Sequence, residues 1–202
     1  MRFMVASAPR SSALFPARAR GSSVGAMTSG SGLLLDAFSR IRVTVASVLD
    51  GLDSDQLTAR VDPGANTIAW LVWHLTRVQD SSVADAAADE QLWLADGWVE
   101  RFALPFDRRA TGYGQSVEEV GQIGTDAATL LDYHDAVYRR TVGYLAGLDD
   151  EALDRVVDTR FDPAVTLAVR MISIIADELQ HAGQAAYVRG VLERTEIRSP
   201  VR

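Results

Sequence analysis

The chain carries three histidines in 202 residues, with no cysteine and no lysine. That narrows what its side chains can do unaided. A protein-borne thiol nucleophile, a thiolate metal site and a lysine Schiff base are all excluded. What remains is histidine acting with carboxylate. Asp177 and His181 stand four apart within VTLAVRMISIIADELQHAGQAAYVRGVLER, a stretch from Val165 to Arg194 without an internal proline. On a helix that spacing puts both side chains on one face, one turn from each other. A carboxylate and an imidazole so placed can chelate one metal ion, provided a third ligand comes from elsewhere. The same pair also fits the solvated side of a bundle helix, and spacing alone favours that plainer reading.

The helical wheel leaves both readings open. At about 100° per residue, Ile172, Ile175, Leu179, Ala182 and Ala186 form the expected core face, and Ile174, Val188 and Leu192 extend it. Arg170, Ser173, Asp177, Gln180, His181 and Gln184 fill the remaining arc. Glu178 offers a second carboxylate, and whether it or Asp177 would be the ligand stays open. Glu178 to His181 is a Glu-x-x-His spacing, as in carboxylate-bridged di-iron bundles. Those need the motif twice, and three histidines supply too few for a second copy. His74 borders an apolar stripe, with Trp70 one turn before it, and fits a hydrogen-bonded, partly buried imidazole as well as a ligand. His134 falls within a core stripe, as a satisfied core residue, a support to a ligand or a substrate contact.

Four long helical patterns must position these residues. The first runs from Gly32 to Leu49, with Leu34, Leu35, Phe38, Ile41, Val45, Val48 and Leu49 at helical spacing. Asp50 to Gly64 breaks it with Asp53, Ser54 and Pro63-Gly64. The second follows to about Ala88, capped by Asn66 or Thr67, with Ile68, Leu71, Leu75 and Val78 facing inward. Ser116 with Glu119 is a capping-box pattern opening the third. That helix is interrupted near Gly124 and Thr125 and stops at Gly147, with Leu130, His134, Val137, Tyr138 and Leu145 inward. Gly147 to Pro163 connects to the fourth. Between the second and third, Asp89 to Gln115 carries Trp93, Trp98, Phe102, Phe106 and Tyr113. A connection that long and that aromatic reads as a short helix near Leu92 and a packed cover over one end of the bundle. No strand-like alternation appears. The fold class is all-α, a four-helix bundle with a long aromatic-rich loop between helices two and three.

Composition sets the outer limits. With 48% hydrophobic and 23% charged residues, a single soluble domain is the default. Net charge is −7, and residues 1–32 hold four arginines and no acid, leaving 16 arginines against 27 acidic side chains in the rest. A body that acidic is a poor partner for nucleic acid, and no apolar run approaches a membrane span. Residues 1–32 read as a disordered extension, most simply a start codon assigned too early with Met27 as the true start. Residues 33–195 form the bundle and 196–202 a flexible tail. Self-association through an apolar helix face, as a homodimer, is left open.

The residues WLVWHL in the second helix and ADELQHAGQAAYVRG in the fourth resemble the DinB-like superfamily. The closer likeness is to its actinobacterial mycothiol-dependent branch, the maleylpyruvate isomerases and mycothiol S-transferases. GWVERFALPF followed by TGYGQS has the same character, and the resemblance spans about Leu33 to Leu192. It implies a metal site in which His74 takes the second-helix ligand position, His181 the fourth-helix histidine and Asp177 the ligand one turn before it. Family members more often carry histidine or glutamate there, so the shorter Asp177 departs from the pattern. His134 matches no family ligand. The implied cofactors are a divalent metal (zinc, nickel or iron) and a mycothiol-like thiol. The implied activity is a cytoplasmic thiol transferase or isomerase acting on a small electrophile. The competing expectation is a non-catalytic DinB-like bundle that binds metal or ligand. A catalyst needs an open cavity beside the metal, lined by the long loop, whereas a binding bundle would fill it with Trp70, Trp73 or Trp98.

Overall fold

The long helices begin where polar side chains satisfy their first free amides. The computed structural model describes residues 29–195. Of the expected extension, 1–32, residues 1–28 lie outside that span, as does the expected tail at 196–202; residues 29–32 instead cap and begin the first helix. Ser29 accepts from Gly32 N and starts α1 (Gly30–Leu49), two residues before the expected Gly32. Its buried stripe is Leu34, Phe38, Ile41, Val45, Val48 and Leu49, while Leu35, expected inside, is half-buried. Asp53 and Gln56 form a capping box for the one-turn α2 (Ser54–Thr58). Thr67, not Asn66, caps α3 (Ile68–Ala87) by accepting from Trp70 N. Two short helices, α4 (Leu92–Ala95) and α5 (Trp98–Phe102), punctuate the long loop. The Ser116–Glu119 capping box is present but opens a single turn, α6 (Val117–Val120). A new cap, Asp126, starts α7 (Ala127–Ala146), so the interruption at Gly124 and Thr125 is complete.

After α8 (Asp150–Leu153), β1 (Val156–Asp158) pairs antiparallel with β2 (Val165–Thr166), and α9 (Leu167–Thr195) closes the chain. The strand pair was not expected, because two- and three-residue strands are too short for alternation to register. Val165 and Thr166 therefore belong to a strand, not to the start of the last helix. Among the described residues, no helix is long and apolar enough to cross a membrane.

The four long helices form a square in which α3 packs between α7 and α9, and α1 packs between the same two. Arg189 near the end of α9 donates to the carbonyls of Ser47, Val48 and Asp50 at the end of α1, so these two run parallel. Gly30 N at the start of α1 donates to Asp150 just past α7, so α1 and α7 are antiparallel. Thr76 meets His134 and Gln79 meets Thr141, which sets α3 parallel to α7. Leu71 shares a cleft with Val188, and Asp85 shares another with Arg170, so α3 and α9 are antiparallel. The fold is an all-α four-helix bundle with α1 and α3 across one diagonal.

The expected stripe on α3 is too narrow. Val78 is half-exposed, whereas Trp73, Arg77, Gln79 and Asp80 are buried. The outer side of α3 is sealed by the loop, which lies along the α3–α7 flank instead of over one end. Trp93, Trp98 and Phe102 surround the Tyr133 ring at centroid distances of 5.3, 5.2 and 5.7 Å. Tyr133 had no place in the expected core, and Tyr138, which did, is only partly buried. Arg77, whose type and position suggest an ordinary surface arginine, is fully buried as an anchor. Its guanidinium lies over Trp93 and donates to Gln91 Oε1 (2.8 Å), the Ala110 carbonyl (3.1 Å) and Tyr133 Oη (3.2 Å). Asp80 accepts from Leu92 N, Trp93 N and Tyr133 Oη at 2.8–2.9 Å and sits 3.4 Å from Arg77 Nη1.

Removing one side of such a buried pair leaves an uncompensated charge. Asp80→Ala is expected to cost about 3–5 kcal/mol, and Tyr133→Phe about 1–3 kcal/mol, in urea unfolding. A second measurement concerns His134, which is fully buried with Nδ1 3.2 Å from Thr76 Oγ1 and no partner at Nε2. Burial lowers its pKa from 6.5 to about 4. A base held neutral in the folded state contributes stability above its unfolded pKa. That contribution, at most about 3 kcal/mol, is lost as pH falls from 6.5 towards 4. Burial raises the Glu178 carboxyl, which gives a slope of opposite sign. The difference in stability between wild type and His134→Gln isolates the histidine, and it should shrink steadily over that window.

Candidate metal centre

Antiparallel packing of α3 on α9 sets His74 beside the Asp177–His181 turn. One donor atom from each of His74, Asp177 and His181 lies within 4.8 Å of the others. The two imidazole centroids are 4.8 Å apart with planes at 77°. Ligands about 2.1 Å from a tetrahedral ion sit about 3.4 Å from one another, so a small inward movement would bring all three to one ion. His74 is buried, and Asp177 and His181 are half-buried at the edge of the groove.

Neighbouring oxygens fix both rings. His74 Nδ1 is 2.5 Å from the Thr111 carbonyl, which can only accept, so Nδ1 carries the proton and Nε2 keeps its lone pair. His181 Nδ1 is 2.8 Å from Gln184 Oε1, and its Nε2 faces Asp177 Oδ1 at 3.5 Å. Asp177 Oδ2 is buried with no hydrogen-bond partner. A buried carboxylate oxygen without a donor, beside two imidazole nitrogens with free lone pairs, is a donor set suited to a divalent cation. Burial lowers the His74 pKa, and the charge of His181 adds to the effect against the Thr111 hydrogen bond. The adjoining Asp177 carboxylate raises that of His181, with burial opposing and Gln184 assisting.

Glu178, the other carboxylate considered, points into the core, and neither of its oxygens has a partner. The apolar face of α9 is rotated from the expected one. Leu167, Met171, Ile174, Ile175, Ala182, Ala185, Val188 and Leu192 are buried, whereas Ile172, Leu179 and Ala186 face out. His134 sits in the core, apart from the cluster. Thr111 and Gln184, which orient the ligand rings, were not singled out from sequence. Gln184 carried a legible signal, standing three residues after His181 on the same face; a carbonyl in a distant loop carries none.

Trp70 stacks on His74 at 4.5 Å and 12°, meets His181 edge-on at 6.0 Å, and donates to Gln115 Oε1 at 2.7 Å. Trp73 and Trp98 are packed away in the core. Two clefts lie between α3 and α9, one on each side of the donors, and no donor lines either. Towards the end of α3 lies a polar cleft of about 580 Å³ lined by Ser81, Asp85, Asp89, Arg109, Arg160 and Arg170. Beyond Gln184 lies a more apolar cleft of about 500 Å³ lined by Leu71, Tyr187 and Val188.

Fold and donor set together define a helical bundle with a His/Asp/His cluster in the groove between two antiparallel helices. Residues 37–185, 149 of the 202, match the DinB superfamily, a superfamily of metal-binding bundles, and the chain belongs to it. The crystal structure of a conserved protein from Enterococcus faecalis is similar over 84% of this chain and 100% of its own, at 27% identity and a TM-score of 0.77. No curated protein matches the sequence.

Gly112 tests the support of His74. Its φ is +96°, and a Cβ there would lie 2.6 Å from His74 Nδ1. Gly112→Ala is expected to turn the ring and weaken metal affinity about 10–100-fold with helicity retained, as read by chelator competition. Unchanged affinity would remove His74 from the ligand set.

Proposed function

We propose that the protein is a divalent-metal-dependent transferase or isomerase that uses a low-molecular-weight thiol, of mycothiol type, against a small electrophile. His74, Asp177 and His181 hold the metal. The orientation of the two imidazoles carries this reading. Each ring is held through Nδ1 by an oxygen outside the cluster, which leaves both Nε2 atoms to converge near an unpartnered carboxylate oxygen. A chain without cysteine or lysine must borrow a sulfur nucleophile from a co-substrate. A bound divalent ion supplies the acidity that makes a coordinated thiol a thiolate at neutral pH.

The protein's own residues then position and shield. Trp70 covers one side of the donors and limits access from there. Of the two clefts that flank the donors, the one beyond Gln184 is next to the His181 turn, and Gln91 and Arg109 of the long loop line the other, polar one. On an activated carbon–carbon double bond, attack by the thiolate would form a C–S bond as the π bond breaks, the neighbouring carbon taking up the proton that the thiol gave up. Release at that stage is transfer; rupture of the same bond after rearrangement is isomerisation.

The second reading, a non-catalytic metal- or ligand-binding bundle, draws on Trp70, whose indole lies flat on His74, and on the short reach of Asp177. Metal content of protein purified without a nickel column, followed by thiol-consumption assays, separates the two. Near-stoichiometric metal is expected in wild type, falling at least about tenfold in His181→Ala and in Asp177→Ala, with thiol turnover lost in parallel. Stoichiometric metal with no consumption of any thiol tested would favour the binding bundle. Absence of metal after dialysis against zinc, nickel and iron would sink the metal reading itself.

A further inference from the structure

The outward side of a surface helix is ordinarily its most charged. On α9 it is not. Val169, Ile172, Ser173, Ala176, Leu179, Gln180, Gly183, Ala186 and Tyr187 are all exposed, and none is charged. Val169, Ile172, Leu179 and Tyr187 are each more than half exposed, at 52, 58, 53 and 67%. Within this face Val169, Ile172, Ala176, Leu179, Gly183 and Ala186 follow a strict 3-4-3-4-3 spacing, the seam along which one straight helix packs on another. Depletion of charge with retention of large apolar side chains marks the centre of an interface. His74, Asp177 and His181 lie off the seam, whereas Gly183 within it also borders the apolar cleft beyond Gln184, which a second copy would partly cover.

The order of large and small residues identifies what covers it. A twofold axis between Ala176 and Leu179 would set Ile172 opposite Gly183, Leu179 opposite Ala176 and Val169 opposite Ala186. Every pair then joins a large side chain to a small one. An isologous contact requires this reciprocity, in which each residue meets its partner twice; a foreign protein imposes no such symmetry. A Cβ built at Gly183 meets nothing within 4 Å, so the space there is free for an incoming isoleucine. We propose that two copies of the chain associate through α9, antiparallel, about an axis between Ala176 and Leu179.

The absence of native cysteine makes a clean test. Sedimentation of the full chain should show a dimer, and Leu179→Glu a monomer of unchanged helicity, weakening association at least about 100-fold. Mild oxidation should link Ala176→Cys/Leu179→Cys into a covalent dimer. Gly183→Cys alone should not link, because in the antiparallel pair the two positions are about 16 Å apart along the axis. A monomeric wild type at about 100 µM, a dimer that survives Leu179→Glu, or efficient self-linking of Gly183→Cys would each overturn the proposal.

Discussion

The structure depends on a buried ion pair that has no part in binding. Arg77 and Asp80 stand inside α3, out of water, where an unpaired charge would be ruinous. Each is satisfied by the loop that follows: Asp80 by the amides of Leu92 and Trp93, Arg77 by Gln91 and the Ala110 carbonyl. Charge-assisted bonds of that kind are strong because they are dry. They fix both ends of a 20-residue excursion to one helix. The next carbonyl after Ala110 belongs to Thr111, which holds His74. The orientation of a candidate ligand thus follows from a pair three and six residues along its own helix, transmitted through a loop.

This arrangement explains why α3 is buried on nearly all sides although its sequence carries arginine, glutamine and aspartate. The aromatic cover supplies a second inner surface, and Tyr133 stands where the two meet. Its hydroxyl joins the same network, so apolar packing and polar satisfaction occur at one point.

The helices were legible because apolar spacing and caps such as Thr67 and Ser116 are local signals. The four-helix class and the match of Asp177 to His181 followed from them. What was illegible was long-range. Which way α9 turns depends on what its neighbours offer, and a helix with apolar residues on two faces does not say which is the core. Ile172 and Leu179 therefore looked like core, and Glu178, which is buried there, was weighed only as an alternative ligand to Asp177. Arg77 looked like surface because arginine usually is; only the loop's acceptors permit its burial. The spacing of Asp177 and His181 fitted a chelating turn and, better, a solvated face; His74 was tied to them by family resemblance, and the Thr111 carbonyl that orients it leaves no mark in sequence.

His74 is separated by more than a hundred residues from the turn that carries Asp177 and His181. During synthesis, the first three long helices and the cover can therefore collapse while only one of the three donors exists. α9, the last described element, brings the other two together and in the same step closes the bundle. A growing chain consequently lacks this cluster until α9 is made, and the three donors meet only as the bundle closes.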